Sequence, residues 1–576
     1  MRSTRRSERA LVAALLLAAG CSERLPDPIP AAHPDDPTPR RGGAMRMASF
    51  ADLRGLDPAV VSDAFAASID AQIFAGLVDF DARGKVVPDL AERFDVSADG
   101  LSYAFELRRG VFMQDGEELT SADVVRSVER ALHPDTPNSY ASFYEAIEGF
   151  EAYTRGKAPH LSGVRAEGRY LVRVVLARPD AMFLPAFGLP PVRPVCRSAG
   201  DRYDDAWAPC GAGPFKVASW DRGRQLVLAR HEAYFKPGEP YVDRIVWTFG
   251  MNQVTQRYKL ESGELDGDAE LTLTDALRFH TDPRWAPFGI YENEAQVAAV
   301  NMNVEMPPFD RVEVRRAVAA AIDRDALRML RTANVRATGR VLPPSIAGDD
   351  PTFPAQRYDL DAALAHMAKA GLAYDPKTGA GGWPETIPYL VTRQGLDEVM
   401  GQVLQQQLAK IGLRIELRLV SFPTFLSLTR RRRQVAISPQ GWIQDFPDAG
   451  DFLEPVFTSA AINDEESNNT AFWSNARFDE LVGKARREMD PARRASMYRE
   501  AEAIVCDEAP WAPTYTYRIF AVHQPYVRGY EPNAVWVEDH RRTWVDRAGA
   551  EAVKHAGVLG SRRALGSLAS LLGGAP

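Results

Sequence analysis

The chain has 576 residues, 45% of them hydrophobic and 25% charged, which is too long for one core and ample for several. Its net charge is −8, and an acidic chain without a clustered positive surface excludes nucleic acid as the expected partner. Residues 1–20 carry four arginines against Glu8, so without them the remainder stands at −11.

Arg2, Arg5, Arg6 and Arg9 precede a small or apolar run over 10–20. This is a charged n-region followed by an h-region too short to span a bilayer permanently, and 1–20 is read as an export signal. The run ends Leu17-Ala18-Ala19-Gly20-Cys21. It resembles a bacterial lipobox, with the Leu one place further from the Cys than is usual. The resemblance implies that Cys21 is lipidated and becomes the mature N-terminus; Ser22 leaves inner or outer membrane open. Residues 21–43 hold six prolines and almost no aliphatic pattern, and read as an extended tether.

The folded body begins with a strand over 44–48 and a helix over 62–75, with Phe65, Ile69, Ile73 and Phe74 near one face. Leu101, Tyr103, Phe105 and Leu107 alternate behind the Asp99-Gly100 turn, as in a half-buried strand. Thr120 reads as the N-cap of a helix, with Asp123 three residues on. Cys196 and Cys210 flank a short polar stretch, where an exported protein can form a disulfide worth about 3 kcal/mol. A helix ends at Gly412, and an alternating strand follows over 413–420. Arg430 to Arg433 reads as a solvated basic run. A buried strand over 435–438 leads to Gly441-Trp442-Ile443-Gln444-Asp445-Phe446-Pro447-Asp448. Cys506 reads as a buried free thiol. Nine scattered histidines and the lack of Cys-x-x-Cys or His-Glu-x-x-His give no metal or cofactor site. Strands alternating with helices mean an α/β architecture.

Six short pieces in order over 42–132 resemble the extracellular solute-binding proteins of the dipeptide, oligopeptide and nickel ABC importers. Among them are Leu56-Asp57-Pro58, Gly76-Leu77-Val78, Val87 through Glu92, and Asp99 through Tyr103. The likeness continues through Gly211-Ala212-Gly213-Pro214-Phe215, Pro308-Phe309-Asp310-Arg311-Val312 and Asp507-Glu508-Ala509-Pro510-Trp511 to about residue 546. It implies a two-lobed periplasmic-binding-protein fold with a hinge, in its large form with an inserted domain. Lobe I is expected at 44–77, 190–294 and 512–546, the inserted domain at 78–189 and lobe II at 295–511. The chain should cross between lobes near Ala295 and Pro513, with a frayed tail over 547–576.

In peptide-binding members a similar Gly-Trp-x-x-Asp-Tyr segment holds the ligand. Carried over, Asp445 pairs with a ligand ammonium, Gly441 and Ile443 offer backbone bonds, and Trp442 lines the cleft. The alternative is that Asp445 caps a local turn and Trp442 belongs to the core. Tyr515 is a further pocket candidate. The resemblance implies a monomeric, lipid-anchored, non-enzymatic binder of a peptide-like ligand. Its partners would be an ABC permease with cytoplasmic ATPase subunits. A non-peptide solute such as a metal chelate or sugar is the alternative in the same fold. A secreted hydrolase is the rival class, for which no Gly-x-Ser-x-Gly is present.

Overall fold

The computed structural model describes residues 24–548, apart from 54, 62, 139, 205–206, 332–333, 393–396, 532 and 537–538. The expected signal, Cys21 and all but the first two residues of the 547–576 tail lie outside the described residues.

Strand β1 (Ala44–Ala48) precedes helix α1 (Ala64–Ile73), which Asp63 caps by accepting from the Ala66 N–H. Next come β2 (Ala91–Val96) and β3 (Ser102–Leu107), the latter burying Tyr103, Phe105 and Leu107. Helix α2 (Ser121–Ala131) starts at Thr120, whose N–H donates to Asp123 at 2.9 Å. Strands β4 (Val164–Ala166) and β5 (Leu171–Val175) follow. They join β2 and β3 in a four-stranded sheet of order β2-β3-β5-β4. Cys196 and Cys210 are disulfide-bonded, with their Cα atoms 5.4 Å apart. Strands β6 (Phe215–Asp221), β7 (Gln225–Arg230) and β8 (Arg244–Thr248) join β1 in a second sheet of order β1-β8-β7-β6.

The third sheet has seven strands and sets the architecture. Its members are β9 (Gly267–Asp268), β10 (Gly289–Met302), β11 (Val335–Ala337), β12 (Thr386–Thr392), β13 (Arg414–Val420), β14 (Ile437–Ile443) and β15 (Trp511–His523). The order is β9-β15-β10-β14-β12-β13, with β11 against β15. Around it lie α3 (Arg324–Arg331), α4 (Asp397–Ala409), α5 (Ala449–Phe457), α6 (Ala476–Arg487) and α7 (Pro491–Glu508). Strands β10 and β15, of 14 and 13 residues, each extend roughly 45 Å at about 3.3 Å per residue. At one end of this antiparallel ribbon Phe520 and Val522 pack with Leu260 and Trp285; at the other, Val300, Met302 and Ala512 pack with Val314 and Ile437. Its register breaks between Asn293 and Val297 and again at Ala298/Ala299. The ribbon therefore belongs to two cores at once.

The proline-rich stretch, expected to be a free tether, lies on the body from residue 24 onward. Leu25 is buried against Leu260, Phe279 and Trp285. The Trp285 indole donates to the Pro26 carbonyl at 2.8 Å, and Arg284 donates to the Leu25 carbonyl at 2.8 Å. Ile29 sits over Gly263, where a Cβ would lie 2.2 Å from its Cδ1, and its N–H donates to Gln524 at 2.8 Å. The Ala32 N–H donates to the Asp546 carbonyl at 2.7 Å, joining the two ends of the described chain. Two apolar side chains with fitted sites anchor the strap. The prolines between them have no N–H to leave unpaired. Leu25→Ala should lower stability by about 2–4 kcal/mol, read as a fall in the urea midpoint; an unchanged midpoint would mean that the strap contributes nothing.

Candidate ligand-binding site

Strand β14 is paired with β10 along its whole length, from Ile437↔Met302 to Ile443↔Gln296. On its other side β12 pairs with it at Tyr389↔Ile437 alone. Among the described residues, 438–443 thus have a strand on one edge only. In an antiparallel pair every second residue turns its N–H and C=O away from the partner, so this edge presents unused backbone groups. The strand reaches five residues further than the buried run 435–438, because β10 templates it to Ile443. Gly441 is required by close approach, since a Cβ there would meet the Val297 carbonyl oxygen at 2.7 Å.

Beyond the strand the chain is gripped from both sides. Phe446 is buried with Phe80, Met182 and Trp536, and the Phe143 ring stands edge-on to it at 5.3 Å. Arg486 pairs with Asp180 at 2.8 Å and Glu454 at 3.0 Å, while Arg494 pairs with Asp448 at 3.0 Å. The Ala181 N–H donates to the Arg486 carbonyl at 2.8 Å. These contacts tie residues 80–182 to α5, α6 and α7 directly behind the 441–448 segment.

Asp445 lies half-buried at this junction. Its N–H donates to Asp451 at 2.9 Å, and the Tyr140 hydroxyl bonds its carboxylate. Desolvation pushes the Asp445 carboxyl up to about 6 and Glu454 up to about 7, the latter despite Arg486. Burial also raises Asp451, reinforced by the Asp445 charge, and raises Asp448 against the pull of Arg494. The arrangement is a desolvated carboxylate pair, Asp445 with Asp451, that lacks a counter-cation among the described residues in contact with it. A cation entering there would relieve both burial and mutual repulsion.

On the other side of the strand lies a cavity of about 550 Å³ lined by Gly441, Trp442, Ile443, Tyr515, Tyr517 and Arg331 among others. Gly441 stands opposite Ala298, and Ala298 opposite Tyr515. Directly opposed residues share a face, so Tyr515 looks out on the face below Gly441. Ile443 is 42% exposed on that face. Trp442 packs on the opposite face with the cluster of Val297, Phe452 and Trp511.

The structure thus brings Gly441, Trp442, Ile443 and Tyr515 together at one cavity, while Asp445, two residues beyond Ile443, lies outside its lining. Of Tyr515 and Tyr517 the sequence reading took Tyr515 alone, whereas both line the cavity, because strand residues two apart share a face. It also missed Asp451, Tyr140 and Arg331, whose partners are 6 to 305 positions distant along the chain or come from other elements. The Arg430–Arg433 run is answered locally, by Glu305, Asp464, Glu465 and Glu466.

A family model described as bacterial extracellular solute-binding proteins, family 5, middle, matches residues 85–464. A probable deoxycholate-binding periplasmic protein of Escherichia coli is 27% identical over 504 residues, 84% of this chain and 90% of its own length. Di/tripeptide-binding protein 2 of Pseudomonas aeruginosa is 27% identical over 531 residues, 85% of this chain and 93% of its own. The ABC transporter-associated periplasmic binding protein DppA from Helicobacter pylori, in complex with peptide STSA, superposes with a TM-score of 0.70. Its sequence identity is 23%, with 88% of this chain and 99% of that one covered. The likeness gives the two-lobed α/β fold.

Raised carboxyl groups make stability depend on pH with a definite sign. The unfolded chain releases these protons near pH 4, whereas the folded one keeps them until about 6 for Asp445 and about 7 for Glu454. The native state therefore holds more protons across that window, and these groups lower stability as pH rises through it. In Glu454→Gln, which leaves the Arg486–Asp180 pair in place, the thermal midpoint should fall less between pH 5 and pH 8 than in the wild type. Identical slopes would remove Glu454 from this account.

Proposed function

The chain belongs to the bacterial extracellular solute-binding proteins of family 5, and from that membership we propose that it captures peptides between its lobes for delivery to an ABC importer. The observation that carries this reading is the unpaired edge of β14. An extended peptide added to that edge has its main chain bonded whatever its side chains, which is recognition by strand addition. The di/tripeptide-binding relative and the peptide-bound DppA structure support the ligand class.

In this reading Asp445 receives the ligand's ammonium, aided by Asp451, and Tyr140 gives up or shares its bond as the cation enters. Gly441 and Ile443 supply backbone groups, and Trp442 and Tyr515 line the site. The protein binds and does not catalyse. It acts outside the cytoplasm as a monomer, anchored through lipidated Cys21, with a permease and its ATPase subunits as partners. A non-peptide solute is the second reading, since one relative is named for deoxycholate; a bile acid has no use for a strand edge.

Truncating one member of a buried charge pair costs about 2–5 kcal/mol, so Asp445→Ala should weaken peptide binding by roughly thirty- to several thousandfold. N-acetylation of the peptide should cause a comparable loss in the wild type and little more in Asp445→Ala, because both delete the same pair. Calorimetric titration of the four combinations reads this. Equal binding of free and acetylated peptides by the wild type would sink the anchor. For the lipid, metabolic labelling with a fatty acid should disappear in Cys21→Ala, and persistent labelling would place the modification elsewhere.

A further inference from the structure

A second cavity, of about 550 Å³, lies under the N-terminal strap at the far end of β15 and shares no lining residue with the one beside β14. The strap contributes Pro28, Pro30 and Pro34, and the body Phe288, Ile290 and Val527 among others. The roof is pinned on both sides of Pro30. The Ile29 N–H donates to Gln524 at 2.8 Å, the Ala32 N–H to the Asp546 carbonyl at 2.7 Å, and the His33 N–H to the Asp546 carboxylate at 2.8 Å. Its prolines bring ring surface and no donor. The polar groups of the lining are few. Gln524 spends its amide on Ile29 and on the Leu260 carbonyl. His523 is buried; desolvation pushes its imidazole down to about 3, so it is neutral, and its Nε2 has no hydrogen-bond partner. No acidic residue lines the cavity, and its one charge is Arg528. Among the described residues Arg528 has no carboxylate partner. Its guanidinium stands 5.3 Å from the Trp544 ring centroid, and Nη1 donates to the Pro34 carbonyl at 3.3 Å.

We propose that this cavity is a second ligand site, separate from the strand edge, that takes an apolar monocarboxylate with its acid group on Arg528 and its body under the proline roof. The enclosure has the size of a small-molecule site, and its lining is of the same kind, apolar with a few polar groups that fix orientation. A guanidinium without a counter-ion is matched by a carboxylate, which it bonds through two parallel N–H groups. The Trp544 ring adds no acceptor of that geometry. A second acid group on the ligand would meet no cation inside, so the ligand carries one charge. The neutral His523 ring can bond a hydroxyl or carbonyl on the body and offers it no charge. A body lying there touches strap and core together, so its binding tightens the hydrogen bonds that pin the roof. The site stands independently of the peptide reading, because none of its residues lines the cavity beside β14.

Three probes separate head from body: dodecanoate, 1-dodecanol and butanoate. Each is titrated calorimetrically into the wild type, Arg528→Gln and Arg528→Lys, after a thermal melt has shown each variant folded. In the wild type dodecanoate should bind roughly ten- to a hundredfold more tightly than dodecanol, and butanoate should give no binding heat at the same concentrations. Arg528→Gln should bring dodecanoate down to the level of dodecanol, and Arg528→Lys should keep part of the difference. Hydrogen exchange in the wild type locates the probe: dodecanoate should slow the Ile29 and Ala32 amides and leave residues 438–443 as they were. The proposal is overturned if dodecanoate does not bind, if dodecanol or butanoate binds as tightly, or if the preference survives in Arg528→Gln. Slowed exchange at 438–443 with Ile29 and Ala32 unchanged also overturns it, by putting the acid at the strand edge. None of these outcomes touches the peptide reading, which the acetylated-peptide titration tests on its own.

Discussion

Residues 438–443 run through the interior of a seven-stranded sheet yet, among the described residues, have a strand neighbour on one side only. Backbone N–H and C=O groups held away from bulk water need partners, and a strand with one bare edge leaves such a demand open. The demand is created by register. Strand β12 touches β14 at a single position and then diverges, while β10 holds β14 fully extended to Ile443. Gly441 belongs to the same constraint, because any side chain there would collide with the Val297 carbonyl. The cavity, the tyrosines and Arg331 are arranged on one face of this edge, and the carboxylate cluster stands at its end.

The acidic end of the site explains how the lobes come together around it. Asp180, Asp448 and Glu454 are answered by Arg486 and Arg494, and Phe446 is enclosed by aromatic rings from residues 80–143 and by Trp536. Among the described residues in contact with them, Asp445 and Asp451 have each other, Tyr140 and the Trp442 side chain, and no cation. These contacts desolvate two acids beside a strand edge and compensate the acids around them. The ribbon of β10 and β15 allows lobes to meet this way because its register breaks lie between the two cores that it serves.

The proline-rich strap is held to the body by contacts far along the chain. With 24–43 clipped to Trp285, Gln524 and Asp546, the chain's spacer is far shorter than its proline content suggests.

What the sequence determined by itself is what depends on neighbours along the chain. The Thr120–Asp123 cap, the alternation of Tyr103, Phe105 and Leu107, the helix stop at Gly412 and the ordered short pieces over 42–132 carry their meaning within a few residues, and they were enough for the α/β class and the two-lobed fold. The segment 441–448 was also visible as a candidate site. The tertiary structure alone decided which of its atoms are available. That β14 has a bare edge follows from where β12 diverges. That Asp445 is desolvated follows from Tyr140 and Asp451 closing on it. Composition mispredicted the strap for the same reason: its prolines forbid regular structure, but whether Leu25 and Ile29 find sites depends on surfaces more than two hundred residues away. Local rules fix conformation, whereas burial and partnering of charge are properties of distant surfaces meeting.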